Sequence, residues 1–231
     1  MAGRGEDGAI MIEPMSPLAR LLCAYAPPAR RAAYRLIWAY DERLAALVRS
    51  TTQPMIGQMR IAWWDEVLAA APAGDAGMKG AGDPLVDALR AEDIAQRPGL
   101  ARMLDGWEAL LETPLDEEAL LLFAQARGGG LFAALADSAD DDGGWYAAGG
   151  LWALWDLAAH LSPEDLVAAR AMALARRWLD PVDAMRWDRA DRPLQIATRL
   201  AWRDVARGTV PQPGLTPARY VRLLRIATLG R

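Results

Sequence analysis

The sequence predicts an all-α protein, a single-domain helical bundle, on three observations. Alanine and leucine dominate and β-branched residues are sparse, so intrinsic preference favours helix along nearly the whole length. Apolar side chains recur at helical spacing in one segment after another, with no alternating stretch of convincing strand length between them. Prolines and capping residues stand where those segments begin. With 53% hydrophobic and 24% charged residues over 231 positions, the composition is globular and the chain is long enough to bury a sizeable core.

Residues 1–15 open on a charged, glycine-rich run and are expected to form a disordered N-terminal tail, leaving 16–231 for the helical domain. Pro17 to Arg35 carries Leu18, Leu21, Leu22 and Tyr25 before the Pro27-Pro28 break, which predicts a short helix and a turn. Ala29 to Val48 reads as the next helix, with Tyr34, Ile37, Trp38, Asp41 and Leu44 at helical spacing. Ser50, Thr51 and Thr52 interrupt it, and Pro54 opens a third helix whose core stripe is read as Met59, Trp63 and Val67. Ala73 to Gly82 is a glycine-rich loop containing the single lysine, Lys79. Asp83 as N-cap and Pro84 in the first helical position start a helix that ends near Pro98, and another helix covers Leu100 to Glu112. Thr113-Pro114 is read as the cap of a long apolar helix, Leu115 to Ala136. The triple glycine Gly128, Gly129 and Gly130 within it permits close packing or a kink beside a pocket. An acidic loop, Ser138 to Gly144, leads to helices over Trp145 to His160, Ser162 to Leu179, Pro193 to Arg207 and Thr216 onward.

Inventory excludes most familiar chemistry. Cys23 stands alone, so neither an internal disulfide nor a thiolate zinc cluster can form, which fits a reducing cytoplasm. His160 is the only histidine and lies at a helix end, where capping or exposure explains it better than catalysis. Lys79 lacks a phosphate-loop context, and no Gly-x-Ser-x-Gly elbow occurs. No charge-free apolar run reaches the ~18 residues that a membrane span needs. The net charge of -4 is uneven: from Arg176 to Arg231 there are 12 arginines against 5 aspartates, a surplus of 7 that leaves -11 for the remainder. Three readings of that basic quarter stand: an anionic lipid surface, an acidic partner, or the acidic part of its own molecule; without a recognisable module it does not point to nucleic acid.

The most informative stretch runs from Trp38 to Leu68. It contains Trp38-Ala39-Tyr40-Asp41, Gln53-Pro54-Met55, and Met59-Arg60-Ile61-Ala62-Trp63-Trp64-Asp65-Glu66-Val67-Leu68. Trp63 and Trp64 point about 100° apart, and Arg60 lies one turn before Trp64, where its guanidinium can rest on the ring. Core packing explains either tryptophan; an Arg-Trp face lining an apolar pocket with an anion-binding end is the functional alternative.

Arg-aliphatic-x-Trp-Trp followed by an acid and leucine resembles the squalene/phytoene synthase family, especially its short, divergent bacterial branch, which is similar to a respiratory complex I assembly factor. The resemblance implies an isoprenoid synthase type of bundle and a substrate site that includes Tyr40, Asp41, Arg60 and Trp64. The family's head-to-head prenyl transfer needs magnesium held on a diphosphate by aspartates four apart on two facing helices. In this chain the first such motif falls on Ala45, Ala46 and Arg49, and the second is reduced to Asp156, with Ala159 and His160 beside it.

The resemblance with those losses implies a catalytically degenerate member with no resident metal, binding an isoprenoid or lipid ligand or a respiratory-complex assembly partner in the cytoplasm, or peripheral to the inner membrane. The alternative is an active head-to-head prenyltransferase with atypical magnesium ligands. Peripheral membrane contact is a separate possibility for the C-terminal helix, where Arg219, Arg222 and Arg225 interleave with Tyr220, Leu223, Leu224 and Ile226.

Overall fold

A computed structural model describes residues 15–70, 80, 82–112, 114–138, 144–162, 165–211 and 216–229. The tail at 1–14, Lys79 with most of its loop, Thr113, and Asp140 to Asp142 of the acidic loop lie outside the described residues. Among the described residues every regular element is helical.

In chain order the helices are α1 (Pro17–Tyr25), α2 (Arg31–Ser50), α3 (Pro54–Ala69), α4 (Pro84–Ala91), α5 (Pro98–Ala109) and α6 (Glu117–Phe123). A π-helical segment (Ala124–Gly129) continues from α6 into α7 (Gly130–Ala136). Then come α8 (Gly144–His160), α9 (Leu166–Ala175), α10 (Leu179–Asp183), α11 (Arg192–Arg207) and α12 (Pro217–Leu229).

Helix starts follow local chemistry. Proline occupies the first turn of α1, α3, α4 and α5, where its missing N–H costs nothing. The Asp83 carboxylate accepts from the backbone N–H groups of Leu85 and Val86, capping α4 as expected. Two starts differ from expectation. The chain leaves helix at Ala91, and Pro98 opens α5 instead of closing α4. The cap of α6 is Asp116, whose carboxylate accepts from the N–H of Ala119, because an aspartate three residues ahead of a free N–H out-competes the preceding Thr-Pro. The helix predicted over Ser162 to Leu179 is instead α9, a 3₁₀ turn at Arg176–Trp178, and α10.

The centre of the molecule is α8, which packs on the π segment and α7 on one side and on α9 and α11 on the others. Helix α5 covers the π segment and α7 from outside, α2 lies across α5 and α7, and α12 closes on α11. The run Glu117–Ala136 is long and apolar enough to cross a membrane, but 83% of its most apolar 18-residue stretch is buried inside this core. Its contact with α8 is backbone to backbone. A Cβ on Gly128 would sit 2.2 Å from the carbonyl oxygen of Gly149, and one on Gly149 would sit 2.0 Å from that of Gly128. Of the two readings of the triple glycine, close packing is present, and so is a change of helix type.

Helix α3 corrects the predicted stripe. Its buried face is Gly57, Ile61, Trp64, Val67 and Leu68, while Met59 is 68% exposed and Trp63 only partly covered. The helix is apolar nearly all round, so periodicity alone does not select a face. Gly57 does, because it lets α3 approach Leu111, whose Cδ1 is 2.6 Å from where a Cβ would stand. Cys23 is buried on α1, and burial pushes its thiol up to about 11, which leaves it unreactive at neutral pH.

Candidate functional site

The site is built around a charge that an apolar helix would not be expected to carry inward. Arg127 is in the π segment, where the wider turn shifts the side-chain register relative to the flanking α-helix. Its side chain is 4% exposed. Backbone approach of α5 at Gly106 closes one side: a Cβ there would be 2.3 Å from the Arg127 nitrogen.

The guanidinium is held as a fork. Nε donates to Asp41 Oδ1 at 3.0 Å and Nη2 to Asp41 Oδ2 at 2.7 Å. Nη1 donates to Asp156 Oδ2 at 2.8 Å. Trp107 Nε1 adds a fourth bond, donating to Asp41 Oδ1 at 3.0 Å. The guanidinium carbon lies 4.5 Å from the ring centroid of Trp107, 4.8 Å from Trp152 and 5.3 Å from Phe123. Burial works against its charge, but Asp41 and Asp156 outweigh that and hold it protonated well above the usual arginine range. Two carboxylates around one guanidinium leave a residual negative charge on the side of Asp156, which is the more exposed of the two acids.

Beside this cluster is a cavity of about 420 Å³ between α1, α2, α5, the π segment, α8 and α12. Trp38, Trp107, Phe123, Trp152 and Trp155 give it an aromatic wall, and Arg49, His160 and Arg219 stand on its border. That volume is within the range of small-molecule sites. The indole N–H groups of Trp38 and Trp152 have no acceptor among the described residues. Glu42 secures one edge by accepting from the Ser16 backbone N–H at 3.1 Å.

The positions expected from the first aspartate motif separate here. Asp41, Ala45 and Arg49 follow one another at intervals of four along the cavity side of α2, while Ala46 turns to the opposite side. Asp156 and His160 form the corresponding pair on α8, with the His160 Nδ1 2.8 Å from the Asp156 carbonyl oxygen and the ring exposed. Asp41 and Asp156 therefore do face each other across the bundle, bridged by a side chain of the protein. Among the described residues no three histidine, cysteine, aspartate or glutamate side chains are placed to share a metal ion.

The four residues expected to bind substrate do not form one site. Asp41 borders the cavity. Tyr40 is fully buried in the core, donating from its hydroxyl to the Leu100 carbonyl at 3.4 Å, and burial first, then Asp41 and Asp65, raises its pKa well above the usual value. Trp64 packs edge-on against Tyr40 and Trp63. Arg60 is exposed and, with Arg43, Ser50, Trp63 and the edge of Trp64, borders a second, open groove of about 540 Å³ on the far side of α2, so Arg60 and Trp64 share a surface that Asp41 does not reach. The stacking expected between Arg60 and Trp64 does not form, because Trp64 belongs to the buried face of α3.

Helical periodicity in the sequence does not mark Arg127 as a site residue. The available signal was a lone positive charge in an apolar run beside three glycines, since a charge buried in such a helix must be paired. Compared with known proteins, the chain matches no family model, no curated protein and no solved structure.

Proposed function

We propose that this protein is a squalene/phytoene synthase-like binding domain that has exchanged metal-assisted ionisation for ligand holding, acting in binding or assembly of a lipid or protein partner. The observation that carries this reading is Arg127, whose guanidinium fills the space between Asp41 and Asp156 and satisfies both carboxylates. A divalent cation in the same place would have to displace a buried side chain of like charge that is bonded to both carboxylates. The aromatic wall suits an apolar chain, and the guanidinium beside it is already held by two carboxylates instead of being open to an anionic end group. An isoprenoid alcohol fits that description better than its diphosphate.

Titration with farnesol and with farnesyl diphosphate, each with and without magnesium, tests the reading. Tryptophan emission is a suitable readout, because four indoles line the cavity. The expected result is saturable farnesol binding that is indifferent to magnesium and stronger than binding of the diphosphate. Tight, magnesium-dependent binding of the diphosphate, or formation of a condensed product from it, would overturn the proposal in favour of an active prenyltransferase.

A further inference from the structure

Helix α12 has two sides of different character. Leu223 and Ile226 are buried against the domain, and Arg219 and Arg222 reach back to Asp204 on α11, at 3.5 and 3.0 Å. Asp204 also accepts from Trp155 Nε1 at 3.0 Å, so α12 is anchored to the central helix through one shared carboxylate. The other side exposes Tyr220, Val221 and Leu224 in adjacent positions, with Arg225 exposed next to them.

The C-terminal end of α11 adds Arg203 and Arg207 to this neighbourhood. The charge on Arg203 is disfavoured first by Arg207, then by slight burial, then by Arg222 and Arg225, with Asp204 opposing. Mutual repulsion of that kind costs free energy in the isolated protein and is relieved by an anionic surface. The last quarter of the chain carries a surplus of 7 positive charges while the remainder carries -11, so the molecule orients itself towards such a surface. A helix side that exposes tyrosine, valine and leucine beside Arg225, flanked by Arg203 and Arg207 of α11, has the composition of an interfacial surface.

We propose that the outer side of α12 and the adjoining end of α11 dock on an anionic lipid bilayer, with Arg203, Arg207 and Arg225 meeting headgroups and Tyr220, Val221 and Leu224 entering the interfacial layer. This surface is separate from the cavity and stands whatever occupies it. The two are neighbours, because Arg219 of α12 is also part of the cavity wall and lies over the Trp155 ring.

Co-sedimentation of the full chain with phosphatidylcholine vesicles, and with vesicles in which about 40% is replaced by phosphatidylglycerol, tests this. Binding is expected to rise at least tenfold on the anionic vesicles and to fall as salt is raised. Joint replacement Arg203→Gln and Arg207→Gln should weaken it about thirtyfold at low salt, from roughly one headgroup interaction each. Val221→Ser should weaken it severalfold with no change in circular dichroism or thermal midpoint. The charge-matched pair Arg186→Gln and Arg189→Gln, ahead of the opposite end of α11, should leave binding within twofold of the parent. Equal affinity for both vesicle types, no binding to either, or anionic binding untouched by the Arg203/Arg207 pair would each overturn the proposal. Self-association abolished by Val221→Ser, without vesicle binding, would overturn it by assigning the face to a second copy of the chain.

Discussion

Helix α2 divides two concavities that share its 20 residues and little else. Its inner side, through Trp38, Asp41, Ala45 and Arg49, borders a cavity whose buried charges are paired before any ligand arrives. Its outer side, through Arg43, Ala46, Leu47 and Ser50, borders an open groove where Arg60 is solvated and Arg43 pairs with Asp83 at 3.2 Å. Arginine thus plays opposite parts on the two sides. Inside, the guanidinium of Arg127 is an internal counter-ion whose loss strands two carboxylates; outside, water already screens the charge, so its removal costs little. Fixed geometry and desolvation mark the inner site as the specific one.

The sharpest way to break this contrast is Arg127→Met. The fully buried Asp41 would lose its bidentate partner and Asp156 its single bond, so urea denaturation should show a loss of about 3–5 kcal/mol. Adding Asp41→Asn to that variant should recover part of the loss, because an amide no longer requires a counter-charge, and the double-mutant cycle would give a coupling of about 1–3 kcal/mol. Additive losses would mean that the cluster is packing with incidental charge.

The scaffold that holds this cluster should be the next most sensitive part. Gly149→Ala would place a methyl 2.0 Å from the Gly128 carbonyl oxygen, in a contact made of backbone on both sides. The helices must move apart, which should outweigh the gain in helix propensity and cost about 2 kcal/mol, or roughly 4–8 °C in Tm. Because α8 also carries Asp156, the same variant should weaken farnesol binding in the titration described above.

How far the sequence discloses these features depends on how local their causes are. Pro54 and the Asp83-Pro84 pair announce helix starts because caps and proline act over three or four residues. The choice of Trp64 over Trp63 for the core depends on Gly57 meeting Leu111, a contact between α3 and the turn after α5 that no single helical pattern contains. Asp41 is recognisable as a polar residue on the apolar stripe of an amphipathic helix, among Ile37, Trp38 and Leu44, but its partner is 86 positions away. Arg127 turns inward in the π segment, whose altered register is not visible in a pattern read at 3.6 residues per turn. All-helical architecture is therefore legible, whereas the site that gives it a use arises from long-range pairing.

Smaller effects belong to the outer side. Asp83→Ala removes the cap of α4 and the partner of Arg43 together, yet the cap dominates, since a part-exposed ion pair contributes little. The expected loss is about 1 kcal/mol, measured by denaturation.

Arg60→Ala should be smaller still, within about 0.5 kcal/mol, because the side chain is exposed and forms no cation–π pair with Trp64. The resemblance carried by the Arg-Trp-Trp segment implies one substrate site for Arg60 and Asp41, whereas the fold puts them on opposite sides of α2. Farnesol binding in Arg60→Ala should therefore equal that of the parent within error, while Arg127→Met, if it still folds, should alter it. A loss of cavity binding in Arg60→Ala alone would show that the outer groove takes part in ligand recognition, and the two sides of α2 would then have to be treated as one site.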